Sequence, residues 1–221
     1  MSIERLEEEF ALTSIIHSKS LDDRTTNVFI YGEPRIGKTV YAMKSIKQLC
    51  ELRHFPPEAW KRFILFGPRM LISLARELRQ TGTKAPGICL DDFGLWGFAW
   101  DWTDPELKSV IKLLQVAGTL TDSTFITAPS TSVVVKKVLT LEGILVGKVI
   151  KARANYNVKD QRSITLYRNS ISPTGKRYIN TVCEDRFSVR LPDGDYRWYK
   201  PLRESYIDEA RKQMEKSLRD F

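Results

Sequence analysis

The sequence predicts an α/β fold in which a mainly parallel, doubly wound sheet is extended by antiparallel strands in the C-terminal part. Three observations predict it. Up to about residue 142, short apolar β-rich runs alternate with segments of helical periodicity, as in a parallel sheet covered by helices. A glycine-containing loop follows the first run and precedes a helix. Beyond residue 143, apolar runs follow one another with only turns between them, which is typical of antiparallel strands.

Size and composition exclude several classes of protein. The chain has 221 residues, of which 42% are hydrophobic and 28% charged, so it can bury a substantial core. Its longest apolar runs fall far short of the roughly 20 residues that a membrane-spanning helix needs, and no membrane insertion is expected. The N-terminus has neither the basic nor the apolar region of a secretory signal, so we expect a cytoplasmic protein.

The first 142 residues are predicted to contain strands and helices in alternation. A short amphipathic helix is expected at residues 3–16. Two prolines at positions 56 and 57 are expected to close the helix that starts at Lys38, because proline removes a backbone donor. The other elements predicted here are strands at 27–31, 63–66, 87–90 and 123–127 and helices at 38–53, 70–80 and 105–116.

The last third of the chain has a different pattern. The segments ILVGKVIKARANY, SITLYR, KRYINTV and RFSVRL are expected to be strands, with a final helix at 204–218. We therefore predict three parts: an N-terminal helical segment (1–26), a core (27–142) and a basic, β-rich C-terminal extension with a terminal helix (143–221).

Residues 32–39 read GEPRIGKT and fit the pattern GxxxxGK[ST] between a strand and a helix, which predicts a P-loop NTPase that binds ATP and Mg²⁺. In such a loop, backbone amides and the helix N-terminus surround phosphate oxygens. Lys38 is expected to reach the β and γ phosphates, and Thr39 to bind Mg²⁺. The residues predicted to bind nucleotide are Gly32, Glu33, Pro34, Arg35, Ile36, Gly37, Lys38, Thr39 and Val40.

A pair of carboxylates follows the apolar run ICL. Ligands of open α/β sheets bind at the carboxyl ends of the strands, so Asp91 and Asp92 are placed to act on a bound nucleotide. We predict that Asp91 holds Mg²⁺ through water and that Asp92 orients or deprotonates the attacking water. Many ATPases have glutamate at the second position, and the shorter side chain makes the metal role the firmer of the two.

Three further features leave alternatives open. Thr127 ends the strand STFIT, where it could contact the γ-phosphate or the lytic water as a catalytic sensor, or simply cap the strand end. Arg35 could touch nucleotide or a neighbouring subunit, or be a solvated side chain at the loop apex. The aromatic run Trp96, Phe98, Trp100 and Trp102 could form a lid, an oligomer contact or core, and core is favoured.

Positive charge is concentrated near the C-terminus. Residues 1–150 hold 19 Lys and Arg against 17 Asp and Glu, whereas residues 151–221 hold 16 against 10. Basic side chains interleaved with aromatic ones suit sequence-tolerant binding of nucleic acid, although a solvated β surface has the same composition. The residues predicted to bind DNA are Arg162, Arg168, Lys176, Arg177 and Arg190.

With both motifs placed, residues 28–132 resemble the AAA+ ATPases of the DnaC/IstB type, which are helicase loaders and transposition helpers. The resemblance rests on GEPRIGKTVYAM, RFILFGPRMLISLAREL, ICLDDFGL and STFITAPSTS. It implies ATP binding at residues 32–39, Mg²⁺ and water handling by Asp91 and Asp92, a sensor near Thr127 and oligomers assembled on DNA. The β-rich C-terminal part is similar in style to the FtsK/HerA-like and Zot-like ATPases of viruses and conjugative elements.

Three functions remain open from the sequence. The first is a DNA-associated ATPase that forms homo-oligomers and acts as a loader or remodeller, with a helicase, transposase or capsid protein as a further partner. The second is a motor that translocates or packages DNA. The third is a nucleotide-gated switch that hydrolyses ATP slowly and does not bind DNA. Stimulation of ATP turnover by DNA separates the first two from the third.

Overall fold

A computed structural model describes residues 9–93, 105–134, 136–141, 143–152, 159–171 and 176–219. The chain forms two compact units, Met1–Val189 and Arg190–Phe221. The first unit is built around one sheet, and the second contains a long helix. Within the described ranges, no helix combines the length and apolar character that are needed to cross a bilayer.

The sheet of the first unit has seven strands in the order β2-β3-β4-β1-β5-β6-β7. The strands are β1 (Thr26–Tyr31), β2 (Ile64–Leu65), β3 (Ile88–Leu90), β4 (Ser123–Ala128), β5 (Leu145–Lys151), β6 (Gln161–Ile171) and β7 (Arg177–Ser188). β1 to β5 pair in parallel, β6 pairs antiparallel to β5, and β7 pairs antiparallel to β6. The predicted fold class, a mainly parallel sheet extended by antiparallel strands, is therefore confirmed.

Strand β5 differs from the expectation that antiparallel pairing begins near residue 143. It runs parallel to β1, with Val28 opposite Leu145 and Tyr31 opposite Lys148. The chain between β4 and β5 contains α5 (Lys136–Leu139). This connection returns the chain to the edge of the sheet at which the parallel strands begin, so β5 can run in the same direction as β1. Antiparallel pairing starts one strand later, where β6 turns back on β5.

The hairpin of β6 and β7 is longer than predicted. KRYINTV and RFSVRL were expected to be two strands, but β7 is one strand that continues through Glu184 and Asp185. Its inward face explains this continuity, because Asp185 and Phe187 are both buried against the helices that cover the sheet.

The other helices of the first unit are α1 (Ala11–Leu21), α2 (Lys38–Leu52), α3 (Pro68–Thr81) and α4 (Pro105–Gln115). α2, α3 and α4 agree with the prediction within two residues. The N-terminal helix does not end at residue 16, and within the described residues it begins only at Ala11. Phe10 is extended and buried against Tyr41, so it fixes the chain just before the helix starts.

The helix of the second unit, α6, spans Asp193–Arg219 and begins well before the predicted residue 204. Tyr196, Trp198 and Tyr199 are therefore helical and do not belong to a β surface. Two acidic residues in the first turn favour the helix start electrostatically, and Pro201 is accommodated inside the helix.

The centre of the sheet forms the core of the first unit. Val28, Phe29 and Ile30 of β1 are fully buried, as are all six residues of β4 beside it. Strands that are covered on both faces have continuous apolar runs, as the sequence of β1 does. The carboxyl ends of β1, β3 and β4 therefore meet at one edge of the sheet, where the loop of residues 32–37, Asp91 and Thr127 lie.

Candidate functional site

The loop of residues 32–37 leaves the carboxyl end of β1 and turns directly into α2. Gly32, Arg35 and Gly37 have φ values of 150°, 62° and 107°. Alternation of such left-handed residues with ordinary ones curls the backbone so that successive N–H groups can face a common centre. Gly37 is the N-cap of α2 and offers no side-chain cap, so the first amides of the helix are left for an anion.

Lys38 places its ammonium group inside this curl. Its Nζ atom donates to the carbonyl oxygens of Gly32 (3.0 Å) and Glu33 (2.9 Å), and only 7% of the residue is exposed. The ammonium is thus held against the backbone of the loop. The charge and the amides together form a site that suits an anion.

On the neighbouring strands, a chain of hydrogen bonds joins the predicted metal and sensor residues. The hydroxyl groups of Thr39 and Thr127 both donate to Asp91 Oδ1, at 2.6 and 2.8 Å. Asp91 is completely buried at the end of β3. Because Thr39 lies in the first turn of α2, Thr127 lies in β4 and Asp91 directly follows β3, residues from three separate elements meet at one carboxylate.

This donor set fits Mg²⁺. The ion takes hard oxygen ligands, retains several waters and is commonly bound by a hydroxyl and one or two carboxylates beside a phosphate chain. Thr39 and Asp91 supply a hydroxyl oxygen and a carboxylate in contact with each other. The structure therefore brings the two predicted metal residues together, next to the loop that bears Lys38.

Asp92 and Thr127 are linked through the backbone. The amide of Asp92 donates to Thr127 Oγ1 at 2.9 Å, and the amide of Phe93 donates to the Thr127 carbonyl at 2.8 Å. Asp92 has a φ of 45°, a left-handed conformation that aspartate tolerates better than most residues. Thr127 thus holds the turn that carries both carboxylates, which is the structural role weighed for it, and its role as a sensor stays a prediction. Action of Asp92 as a base stays a prediction.

Strands β5 and β7 pack directly against the phosphate loop, a feature that sequence reasoning missed. A Cβ atom on Gly37 would lie 2.4 Å from Val189 Cγ1, just beyond β7, and one on Gly32 would lie 2.9 Å from the Val149 carbonyl oxygen of β5. Both glycines are therefore required by neighbours as well as by φ. The sequence motif predicts glycine at both positions, but it does not identify the distant residues that leave no space for a side chain there.

Arg162 of β6 also reaches the loop. Its Nε atom donates to the carbonyl of Ile36 at 3.1 Å, while its Nη1 atom donates to the carbonyls of Lys159 and Gln161. The guanidinium group therefore ties the start of β6 to the loop that would carry the phosphates. No local pattern could have indicated this contact, because 126 positions separate the two residues.

A buried carboxylate on β7 holds the two helices beneath the loop. Asp185 accepts hydrogen bonds from the Ala11 amide (2.7 Å), the Leu12 amide (3.4 Å) and the Tyr41 hydroxyl (2.6 Å). It thus caps α1, whose N-cap residue Phe10 has no side-chain acceptor. Burial, followed by the charge of Asp185, raises the pKa of Tyr41 well above its usual value, so the phenol remains a donor.

The five residues predicted to bind DNA are distributed over both units. Arg162 and Arg168 are on β6, with Arg162 near the phosphate loop and Arg168 opposite Leu145 at the start of β5. Lys176 is exposed just before β7, and Arg177 is its first residue, roughly 30 Å along the hairpin from Arg162. Arg190 belongs to the second unit. Contact of these residues with DNA stays a prediction.

The two remaining predicted features are the aromatic run after Asp92 and Arg35 of the loop. The aromatic run Trp96, Phe98, Trp100 and Trp102 lies outside the described residues. Arg35 is exposed at the loop apex and, with a φ of 62°, contributes its backbone to the curl of the loop.

No protein-family model matches this chain. The chain is 26% identical over 218 residues to the uncharacterized protein B-251 of Sulfolobus spindle-shape virus 1. The alignment covers 91% of this chain and 84% of the viral protein. Among solved structures, it is similar to the N-terminal domain of zonular occludens toxin from Neisseria meningitidis, with a TM-score of 0.43, 12% identity, and 78% of this chain and 97% of that domain covered. A KaiC-like protein of Pyrococcus horikoshii gives a TM-score of 0.39, 16% identity, and coverage of 72% and 89%. The similarity to the viral protein therefore extends well beyond the phosphate loop.

Proposed function

We propose that this chain is an ATPase that works on DNA in the replication or movement of a virus or another mobile element. The hydrogen-bonded chain Thr39–Asp91–Thr127 beside the Lys38 loop carries the proposal, because it joins a phosphate cradle, a metal site and a strand-end hydroxyl. The viral relative supports the mobile-element setting.

In the proposed reaction, the amides of residues 32–39 hold the phosphates and Lys38 neutralises charge that develops on the β and γ phosphate oxygens. Thr39 and Asp91 would hold Mg²⁺, and the bound ion would supply positive charge that offsets the charge of the phosphates. Asp92 accepts a proton from the attacking water, and Thr127 fixes the turn on which Asp92 lies. Hydrolysis then gives ADP and phosphate.

Association with DNA is the second part of the proposal. The contact from Arg162 to the Ile36 carbonyl supports it, since it gives the basic hairpin a direct connection to the nucleotide loop. A strand of DNA held along β6 and β7 would thereby change the loop that binds ATP. We favour a protein that acts as an oligomeric loader or remodeller, which is the function that the DnaC/IstB resemblance implies.

A DNA-translocating motor is the second candidate. The observation that favours it is the antiparallel extension of β6 and β7, which joins the same sheet as the phosphate loop. ATP-driven displacement of a protein or a strand in one direction along DNA would identify a motor. Transfer of a partner onto DNA without directional movement would identify a loader.

The test is ATP turnover with Mg²⁺, measured without DNA and with single- or double-stranded DNA. We expect turnover that DNA stimulates and that falls by at least about 100-fold in Lys38→Ala. Lys47→Ala is the matched control, because it removes the same charge from the same helix away from the loop.

Two results would contradict the proposal in different ways. ATP binding without appreciable turnover or any response to DNA would favour the nucleotide-gated switch. Absence of ATP binding by the folded wild-type protein would overturn the nucleotide site itself.

A further inference from the structure

A cavity of about 810 Å³ lies at the edge of the sheet opposite the phosphate loop. It is bordered by Thr25 and Asn27 at the amino end of β1, by the end of α4 and by Arg168 of β6. The phosphate loop leaves the other end of β1, roughly 20 Å away for a strand of this length. A nucleotide bound by Lys38 therefore does not occupy this cavity.

Three basic side chains line the cavity: Lys19, Arg24 and Arg168. Among the described lining residues there is no carboxylate. Arg24 forms an ion pair with Asp22 at 2.7 Å, in which both side chains are largely exposed. Among the described residues, positive charge is thus gathered in a concave space with one neutralising partner, Asp22.

Lys19 and Arg168 have no counter-ion in the part of the chain that the structure describes. Arg168 Nε is buried and makes no hydrogen bond there. These cations line the same cavity, and burial, then the charges of Arg168 and Arg24, lower the pKa of Lys19. Partly buried cations are normally paired, because desolvating an uncompensated charge is costly.

An anion that entered the cavity would relieve this repulsion. Arginine offers a planar set of donors that matches the oxygens of phosphate, and lysine adds a point charge. The Asn27 carboxamide adds a polar group whose buried oxygen has no partner among the described residues. The lining therefore suits a ligand that combines a phosphate with a hydrogen-bond donor, which could bind the Asn27 side-chain oxygen.

The size of the cavity indicates how large that ligand is. Pockets for small molecules have volumes of about 300–1,000 Å³, so this space is larger than a lone phosphate ion requires. Leu114 and Leu141 provide an apolar wall beside the basic residues. The described lining contains no aromatic side chain on which bases of single-stranded DNA could stack, which favours a small molecule over nucleic acid.

We propose that this cavity binds a phosphorylated small molecule of about nucleotide size, with its phosphate held by Lys19, Arg24 and Arg168. The site is separate from the proposed ATPase site and does not depend on it. Occupation would hold the end of α1 and the starts of β1 and β5 together at the edge of the sheet.

The test is isothermal titration of inorganic pyrophosphate and of AMP into full-length Lys38→Ala protein in phosphate-free buffer, because this variant weakens the loop site. We expect both probes to bind with a stoichiometry of one. Arg168→Gln and Lys19→Gln should each weaken binding at least 10-fold. Arg79→Gln is the matched control, since it removes an exposed positive charge from α3, and it should leave binding unchanged.

A thermal melt distinguishes loss of the site from loss of the fold. Without a probe, Arg168→Gln should melt at the wild-type temperature or higher, because a repelling charge is removed. The rise in melting temperature that pyrophosphate produces in the wild type should be absent in this variant.

The proposal is overturned if neither probe binds, if binding persists in both Arg168→Gln and Lys19→Gln, or if Lys38→Ala alone abolishes it. It is also overturned in favour of a nucleic-acid site if a single-stranded oligonucleotide requires Lys19 and Arg168 while pyrophosphate and AMP do not bind.

Discussion

The two halves of the sheet contribute to the candidate nucleotide site in different ways. The motif half, strands β1–β4 with α2, carries Lys38, Thr39, Asp91 and Thr127, whose hydrogen bonds assemble the polar groups. The supporting half, strands β5–β7, packs against the loop through Val149, Val189 and Arg162 and anchors α1 and α2 through Asp185.

The comparison shows that the residues that would act on a nucleotide and the residues that hold them in place belong to different halves of the sheet. Groups that act on a nucleotide lie within short motifs, whereas the contacts that hold those motifs in place come from residues far away along the chain. Changes in the motif half should therefore abolish turnover while the protein stays folded. Changes in the supporting half should mainly lower stability or nucleotide affinity.

The largest expected effect is in the motif half. Asp91→Asn retains an oxygen that accepts from Thr39 and Thr127 but loses the charge that holds Mg²⁺, so turnover should fall by about 100- to 1,000-fold. The measurement is ATP turnover as a function of Mg²⁺ concentration, with the exposed Asp208→Asn as control.

Asp92→Asn sharpens the same comparison. It should lower turnover by about 100-fold while leaving the Mg²⁺ dependence of nucleotide binding unchanged, because Asp92 is assigned to water rather than to the metal. Equal effects of the two substitutions on that Mg²⁺ dependence would contradict the assigned roles.

The next effect lies at the contact between the halves. Gly37→Ala combines a φ of 107° with a clash against Val189 and should destabilise the protein by about 2–4 kcal/mol, while weakening nucleotide binding. Gly82→Ala has a φ of 63° and open space around its Cβ position, so it isolates the backbone term of about 1–2 kcal/mol. Urea unfolding measures both, and equal losses would show that Val189 does not support the loop.

A smaller loss is expected from the buried carboxylate of the supporting half. Asp185→Asn places an amide opposite donors from α1 and Tyr41, so stability should fall by about 2–3 kcal/mol. Tyr41→Phe removes one donor and should cost about 1 kcal/mol. The measurement is urea unfolding, with the exposed Glu184→Gln on the same strand as control. No destabilisation by Asp185→Asn would show that this network does not anchor the helices.

The smallest effect concerns Arg162. Arg162→Gln removes the bond to the Ile36 carbonyl, so the Kd for ATP should rise about 3- to 10-fold with little change in stability. Arg186→Gln, an exposed arginine on the adjacent strand, is the matched control. If Arg162→Gln instead weakens DNA binding and leaves ATP affinity unchanged, Arg162 serves DNA as the sequence predicts, and not the loop.

Much of the fold could be predicted because it depends on local patterns. The strands around residues 27–31 and 123–127 and helices α2 to α4 have apolar periods and boundary residues that can be read within a short window. The misjudged elements are those that tertiary contacts decide. β5 is parallel because of the path between β4 and β5, and α6 begins early in a segment whose aromatic residues resemble a strand pattern.

The sequence by itself determined the order of the elements, the position of the phosphate loop and the identity of the residues beside it. These follow from spacing that is local to each segment, such as that of Gly32, Gly37 and Lys38 within one short segment of sequence. Only the tertiary structure decided that Arg162 meets Ile36, that Asp185 caps α1 and that Lys19, Arg24 and Arg168 share a cavity. The physical reason is that these contacts join distant residues, and their geometry is set by the pairing and packing of the whole sheet.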